Sequence, residues 1–113
     1  MSEVTARQVL ENARKLIESP DRWTRKAFAR SKIGIECWSG DPDAVSWCVQ
    51  GAINEAGRRL GTGMGDSYFE AMPRLQKAAG CWMLDIWNDN AETTHADILE
   101  AFDKAINMEA GDD

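Results

Sequence analysis

Residues 43–56 read DAVSWCVQGAINEA, and this stretch predicts the helix on which the rest of the chain packs. The turn before it, residues 39–43, offers Asp41 and Asp43 as helix caps and a proline suited to a first turn. The apolar stripe at helical spacing comprises Val45, Cys48, Val49, Ala52, Ile53 and Ala56. Gly51 lies inside this helix, where alanine would be more favourable by about 1 kcal/mol. We therefore expect another backbone to cross closely at Gly51.

Three more helices are predicted from apolar stripes, each beginning with residues at capping-box spacing. These helices span residues 5–18, 67–79 and 94–108. The capping pairs are Thr5 with Gln8, Ser67 with Glu70, and Thr94 with Asp97. Pro73 falls inside the second helix, and we expect it to kink or restart that helix because proline lacks a backbone N–H.

Two stretches leave their secondary structure open. In residues 22–38, apolar and polar side chains alternate on both sides of residues 31–34, which favours a short β-hairpin; a helix over residues 20–30 is the alternative. An isolated hairpin is marginal in water, so we expect it to pack on the helices. Residues 81–87, CWMLDIW, are the most apolar stretch and fit either a buried strand or a short buried helix.

The size and cysteine content predict one domain in a reducing compartment. A chain of 113 residues and 12.6 kDa forms a single core. Its apolar runs fall short of the roughly 18 residues of a membrane span, and its polar N-terminus does not resemble a secretory signal. An odd number of irregularly spaced cysteines favours free thiols. We expect a cytoplasmic protein, with a flexible tail from about residue 109.

The charge is distributed unevenly. Residues 1–36 carry eight Lys or Arg and five acids, a balance of +3, whereas residues 37–113 carry five and fourteen, a balance of −9. The sum is the formal net charge of −6. Because most of this surface would repel phosphate, nucleic acid is an unfavourable partner. The basic, aromatic stretch from Arg22 to Lys32 could bind a single strand, but we interpret it as the solvated face of the hairpin.

Three motifs follow one another along the chain. They are Arg22-Trp-Thr, Trp47-Cys-x-x-Gly-Ala52 and Trp87-Asn-Asp89. In this order they resemble an uncharacterised family of small bacterial and phage domains of unknown function. The resemblance covers residues 5–108 and implies an architecture, but neither an activity nor a ligand. Members commonly have a Pro-Gly turn after the Asn-Asp pair, whereas this chain has Asn90-Ala91-Glu92.

A thiol hydrolase is the strongest enzymatic interpretation of the sequence. It would use Cys48 as the nucleophile, His95 as the base, and Asn88 or Asp89 to orient the histidine. However, the predicted helix places Cys48 one to two turns inside its apolar stripe, away from the terminal amides that stabilise a thiolate. We therefore expect a buried, unreactive Cys48 and a solvated His95.

Metal ligation is the second chemistry that we considered. Five oxygen-bearing side chains occur in eight residues: Asp85, Asn88, Asp89, Asn90 and Glu92. The glycine and the alternating acids of an EF-hand are missing, and such residues also build ordinary turns. A zinc site would need His95 with all three cysteines, Cys37, Cys48 and Cys81, at spacings that match no zinc pattern. We expect neither a metal nor a cofactor.

Tryptophan supplies the remaining functional signal. The chain has five, Trp23, Trp38, Trp47, Trp82 and Trp87. Four of them fall in predicted core segments, whereas Trp38 lies in a turn beside Asp41 and Asp43, and we predict that these three residues bind a partner.

Together these patterns predict an α+β, mostly helical fold with about four helices and a small β-hairpin. The function we expect is non-catalytic protein binding, in one form the inhibition of a host or defence protein. The alternative is a thiol-dependent hydrolase that uses Cys48 with His95.

Overall fold

The computed structural model describes residues 3–108 and shows a mostly helical α+β fold in this range. Its helices are α1 (Ala6–Leu16), α2 (Val49–Arg59), α3 (Asp66–Ala79), α4 (Leu84–Asp89) and α5 (His95–Asn107), with a 3-10 turn at Pro20–Arg22. Its strands are β1 (Ala29–Ser31), β2 (Glu36–Cys37) and β3 (Ala44–Trp47). The predicted fold class is confirmed, and the tail predicted from residue 109 lies outside the described residues. None of the described helices is both long and apolar enough to cross a membrane.

Helix α1 packs against α2, α3 and α5. The predicted capping box at its start is present: the Thr5 side chain accepts from the Gln8 amide, and the Gln8 side chain accepts from the Thr5 amide. The same arrangement of Thr94 and Asp97 begins α5, also as predicted. The largest fully buried apolar side chains are Phe102, Leu10, Ile17, Ile53, Leu75, Ile98, Val9 and Val49. The apolar stripes of the two best-capped helices therefore supply much of the core.

The small sheet has the order β2-β1-β3, with both pairs antiparallel. The predicted hairpin corresponds to β1 and β2, which are shorter than the alternation suggested. Strand β3 was missed, because residues 44–47 were assigned to the start of the central helix. Their pairing with β1 outweighs that local helical pattern: Trp47 lies opposite Ala29, and the Cys48 amide donates to the Phe28 carbonyl at 3.1 Å.

The close approach predicted at Gly51 is confirmed. A Cβ built on this residue would overlap the carbonyl oxygen of Phe28, which lies in the segment leading into β1. Phe28 also accepts the hydrogen bond from the Cys48 amide. The segment leading into β1 therefore contacts the start of α2 at two neighbouring points. Glycine at position 51 thus allows the sheet to dock against the start of α2.

The second half of the chain differs from prediction in three details. Helix α3 begins after Gly65 and not at Ser67, and it continues through Pro73. The apolar stretch at 81–87 becomes α4 only from Leu84, and Trp82 is 75% exposed, contrary to its predicted burial. Trp82 precedes the helix and, with Pro73, lines a groove on the surface, so its apolar character did not indicate a core position.

Candidate functional site: an acidic cleft beside the hairpin

A cleft of about 700 Å³ opens between the hairpin, the start of α2, and α4. Its carboxylates are Glu36 from β2 and Asp85 and Asp89 from α4, and its cationic side chain is Lys26. Apolar lining comes from Phe28 and Trp38, with Cys37, Cys48 and Gln50 also at the wall. The cleft is therefore acidic and has aromatic side chains at its border.

Asn88 organises the wall of this cleft. It is 1% exposed, and its Oδ1 accepts hydrogen bonds from Trp23 Nε1 at 2.8 Å and from the Val49 amide at 3.0 Å. Its Nδ2 donates to the Thr24 carbonyl at 3.1 Å and to Asp89 Oδ1 at 3.0 Å. One buried amide thus joins α4 to the segment before β1 and to the first turn of α2.

Asp89 extends this network to the opposite wall. Its Oδ1 also accepts from the Lys26 amide at 2.7 Å. Lys26 has a φ of 64°, a left-handed conformation that is costly for a residue with a Cβ. We had predicted that Asn88 and Asp89 form a turn, but they are in the last turn of α4, and their side chains bond to distant segments. The carboxylate of Asp89 therefore holds a strained loop at the cleft.

Cys48 lies at the N-cap of α2 and not inside the helix, which corrects the position that we predicted. Its Sγ accepts a hydrogen bond from the Gly51 amide at 3.2 Å, and the residue is buried, as expected. Burial raises the pKa of the Cys48 thiol, and the nearby charge of Asp89 acts in the same direction. Although the amides of Gly51 and Gln50 act in the opposite direction, the net shift is upward. The neutral thiol is therefore the favoured form near neutral pH.

His95 makes its contacts with Ile17 and Trp23. Its Nε2 lies 2.7 Å from the carbonyl oxygen of Ile17, and its ring packs at 5.8 Å from that of Trp23. It is half-buried, and not solvated as we had predicted. Among the described residues, those that line the cleft include Cys48 and Asp89 but not His95.

The three residues predicted to bind a partner lie close to the cleft. Trp38 is 61% exposed and forms part of the cleft wall. Asp41 shapes the following turn, because its amide donates to the Trp38 carbonyl and its Oδ1 accepts from the Asp43 amide at 2.8 Å. Burial, followed by the charges of Asp41 and Asp43, raises the pKa of the Cys37 thiol. Both carboxylates thus add to the negative potential on this side.

The basic stretch before the cleft has a partly structural role. Arg25 Nη2 donates to the Thr93 carbonyl at 2.6 Å, and its guanidinium lies 4.5 Å from the centre of the Trp23 ring. Arg30 donates to the side chain of Thr24 and to the carbonyl oxygens of Arg25 and Gly34. Two of the cations considered for nucleic-acid binding therefore hold the loop that borders the sheet.

Comparison with known proteins identifies the family. A model described as a family of unknown function (DUF6197) matches residues 1–108. The chain belongs to DUF6197. No curated protein and no solved structure matches it. The resemblance inferred from the motifs is therefore confirmed at the level of a family without an assigned function.

The three motifs of this DUF6197 chain meet around Asn88. Trp23 and Thr24 contribute an indole N–H and a carbonyl oxygen, and Val49, directly after Trp47 and Cys48, contributes an amide. The motifs are separate in the sequence, and no pattern in it predicts that Lys26, Glu36 and Asp85 line one cleft. Their grouping depends on contacts between segments that are distant in the sequence. In residues 3–108, no three His, Cys, Asp or Glu side chains are grouped so that they could hold a metal ion.

Proposed function

We propose that this chain is a non-catalytic protein-binding domain whose cleft receives a basic segment of a partner protein. The observation that carries the proposal is the charge of the cleft, where, among the residues in the range 3–108, Glu36, Asp85 and Asp89 outnumber the one cation, Lys26. Complementary charge steers association and selects against partners of the wrong sign. A segment that contains lysine or arginine would match this potential.

The aromatic border supports binding of a polypeptide in particular. Trp38 and Phe28 are both more than half exposed, although each is a large apolar side chain. An exposed tryptophan beside a recess is a common anchor of protein interfaces, because it buries a large area with little loss of conformational entropy. We expect Trp38 to pack against aliphatic parts of the bound segment while the carboxylates pair with its cations.

Two observations favour binding over thiol hydrolysis. The raised pKa of Cys48 disfavours the thiolate that would act as the nucleophile. The Nε2 of His95 is engaged with the Ile17 carbonyl, and His95 is not among the described residues that line the cleft with Cys48. The three unpaired cysteines also support action in a reducing compartment such as the cytoplasm. Inhibition of a host or defence protein is a narrower form of the proposal and would use the same cleft.

A titration with designed peptides tests the proposal. A fluorescently labelled peptide of alternating lysine and valine is added to the protein, and the same peptide with glutamate in place of lysine serves as the negative probe. We expect the basic peptide to bind, to shift the amide NMR signals of Phe28, Trp38 and Gln50, and to bind less tightly as salt is added. The acidic peptide should leave these signals unchanged.

Charge reversal provides the matched control. Asp85→Lys should weaken binding roughly tenfold, because it places a like charge in the cleft. Glu92→Lys changes the net charge by the same amount at an exposed residue outside the cleft lining and should have little effect. If both variants lose the same affinity, the interaction is a general attraction to an acidic protein and the proposal fails.

A further inference from the structure

A small cavity of about 270 Å³ lies where the ends of α1 and α2 meet the 3-10 turn. Its charged lining consists of Lys15 from α1, Arg22 from the 3-10 turn and Arg59 from α2. Asn12 and Leu16 complete the lining, and among the described residues no carboxylate belongs to it. Three cations therefore converge on this basic recess in a chain whose formal net charge is −6.

Two of the three cations have no partner in the part of the chain that the structure describes. The side chains of Lys15 and Arg22 form neither an ion pair nor a hydrogen bond with residues 3–108. The acidic residues one turn away from Lys15 on either side, Glu11 and Glu18, pair with other arginines of the first helix at 3.4 and 3.3 Å. Because like charges in one recess repel one another, an anion placed between them lowers the electrostatic energy.

Arg59 is held in position before any ligand arrives. Its Nε donates to Glu55 Oε2 at 2.7 Å, and its guanidinium carbon lies 5.7 Å from the centroid of the buried Trp47 ring. Glu55 also pairs with Arg58, so two arginines share one carboxylate and keep a net charge of +1. The Nη groups of Arg59 make no bond with the described residues and can donate to a ligand. A guanidinium that is oriented in advance loses little conformational entropy on binding.

Helix ends explain only part of this arrangement. Lys15 and Arg59 stand in the last turns of α1 and α2, where the helix dipole favours a cation. That effect acts within one turn of one helix and does not require cations from separate elements to share a recess. Arg22 follows a 3-10 turn of only three residues, which has little dipole of its own. The convergence of all three side chains therefore indicates a bound anion.

We propose that the basic recess binds the phosphate group of a small phosphate monoester. Such a group carries a charge of about −1.5 to −2 near neutral pH and presents three acceptor oxygens, which arginine and lysine bind with charge-assisted hydrogen bonds. The cavity is smaller than the roughly 300–1,000 Å³ that encloses a whole ligand, so it takes the phosphate and leaves the remainder outside. The acidic surface beyond the recess disfavours a polyanion such as nucleic acid.

Titration of the wild-type protein with glucose 6-phosphate, followed by amide NMR, tests the proposal. We expect saturable shifts of the signals of Lys15, Leu16 and Arg59, whereas those of Phe28 and Trp38 in the acidic cleft should stay unchanged. Glucose, which lacks the phosphate, should shift none of them. Gluconate, which carries one carboxylate, should bind roughly tenfold more weakly. Absence of binding by glucose 6-phosphate at millimolar concentration, or equal affinity for gluconate, would overturn the proposal.

A pair of variants locates the site. Arg22→Gln removes one cation from the recess, and Lys32→Gln removes the same charge from an exposed lysine outside it. We expect Arg22→Gln to bind glucose 6-phosphate roughly tenfold more weakly than wild type, the effect of one lost charge-assisted hydrogen bond, and Lys32→Gln to bind it as wild type does. Equal losses in the two variants would show a general attraction to the basic part of the chain and would refute a site at the recess. Neither variant alters the acidic cleft, so these outcomes are independent of the proposed function.

Discussion

Replacement of Asn88 by alanine should be among the most destabilising substitutions in this chain. The side chain forms four hydrogen bonds, two as acceptor and two as donor, and it is almost fully buried. A typical hydrogen bond contributes about 1 kcal/mol net, and a buried partner left without one costs about 1–3 kcal/mol. Since Asp89 borders the cleft and can be rehydrated, we expect a loss of about 3–5 kcal/mol. At the usual 0.05–0.15 kcal/mol per residue, the free energy of unfolding of the whole domain is roughly 6–17 kcal/mol.

Urea unfolding followed by far-ultraviolet circular dichroism measures this loss. Asn107→Ala is the matched control, because this exposed asparagine near the end of α5 makes one side-chain hydrogen bond, to the Asp103 carbonyl. The control should change the free energy of unfolding by less than about 1 kcal/mol. If Asn88→Ala were no more destabilised than Asn107→Ala, the network around Asn88 would not hold the three segments together.

Three further predictions concern buried positions. Gly51→Ala should cost about 1–3 kcal/mol, since its Cβ would overlap the Phe28 carbonyl; an unchanged urea midpoint would contradict this. Cys48 should react slowly with a thiol reagent at neutral pH and faster as the pH rises, because the pKa of its thiol is raised. Rapid labelling of the native protein at neutral pH would contradict a buried, neutral thiol. Glu55 is buried, which alone would raise its pKa, but hydrogen bonds and charges from its two arginine partners give a net lowering. The ionised Glu55 carboxylate therefore stabilises the folded protein above the unfolded pKa of about 4.3. This stabilisation is lost as the pH falls through the lower pKa of the folded state. Glu55→Gln should accordingly destabilise the protein at neutral pH and much less in acid, as measured by urea unfolding at both; an equal deficit at both would show that the charge is not responsible.

The helical part of the fold was largely predictable because its signals are local. The capping boxes of α1 and α5 each involve residues three apart, and the apolar stripes identify the buried faces of these helices. The close approach at Gly51 was also predictable, since a glycine inside a helix is unfavourable unless another group needs the space. Strand β3 was not predictable in this way, because its conformation depends on pairing with β1.

The candidate site was predicted only in part. Trp38 is exposed, as expected for a residue in a polar turn, and Asp41 and Asp43 lie near it. The cleft itself was not foreseen, because Lys26, Glu36 and Asp85 come from three separate segments. The buried position of Asn88 was missed for a related reason. In the sequence it is followed by Asp89 and Asn90, a composition typical of solvated turns.

The sequence by itself determined the α+β class, the main helices, the acidic balance and the family, because each depends on composition, short-range spacing or the order of motifs. Only the tertiary structure decided where Cys48 lies and that α4 directs two carboxylates toward the hairpin. The physical reason is that a backbone group or buried amide takes the partner that folding brings to it. For Asn88 those partners are some 40 and 65 residues away, and no local pattern encodes them.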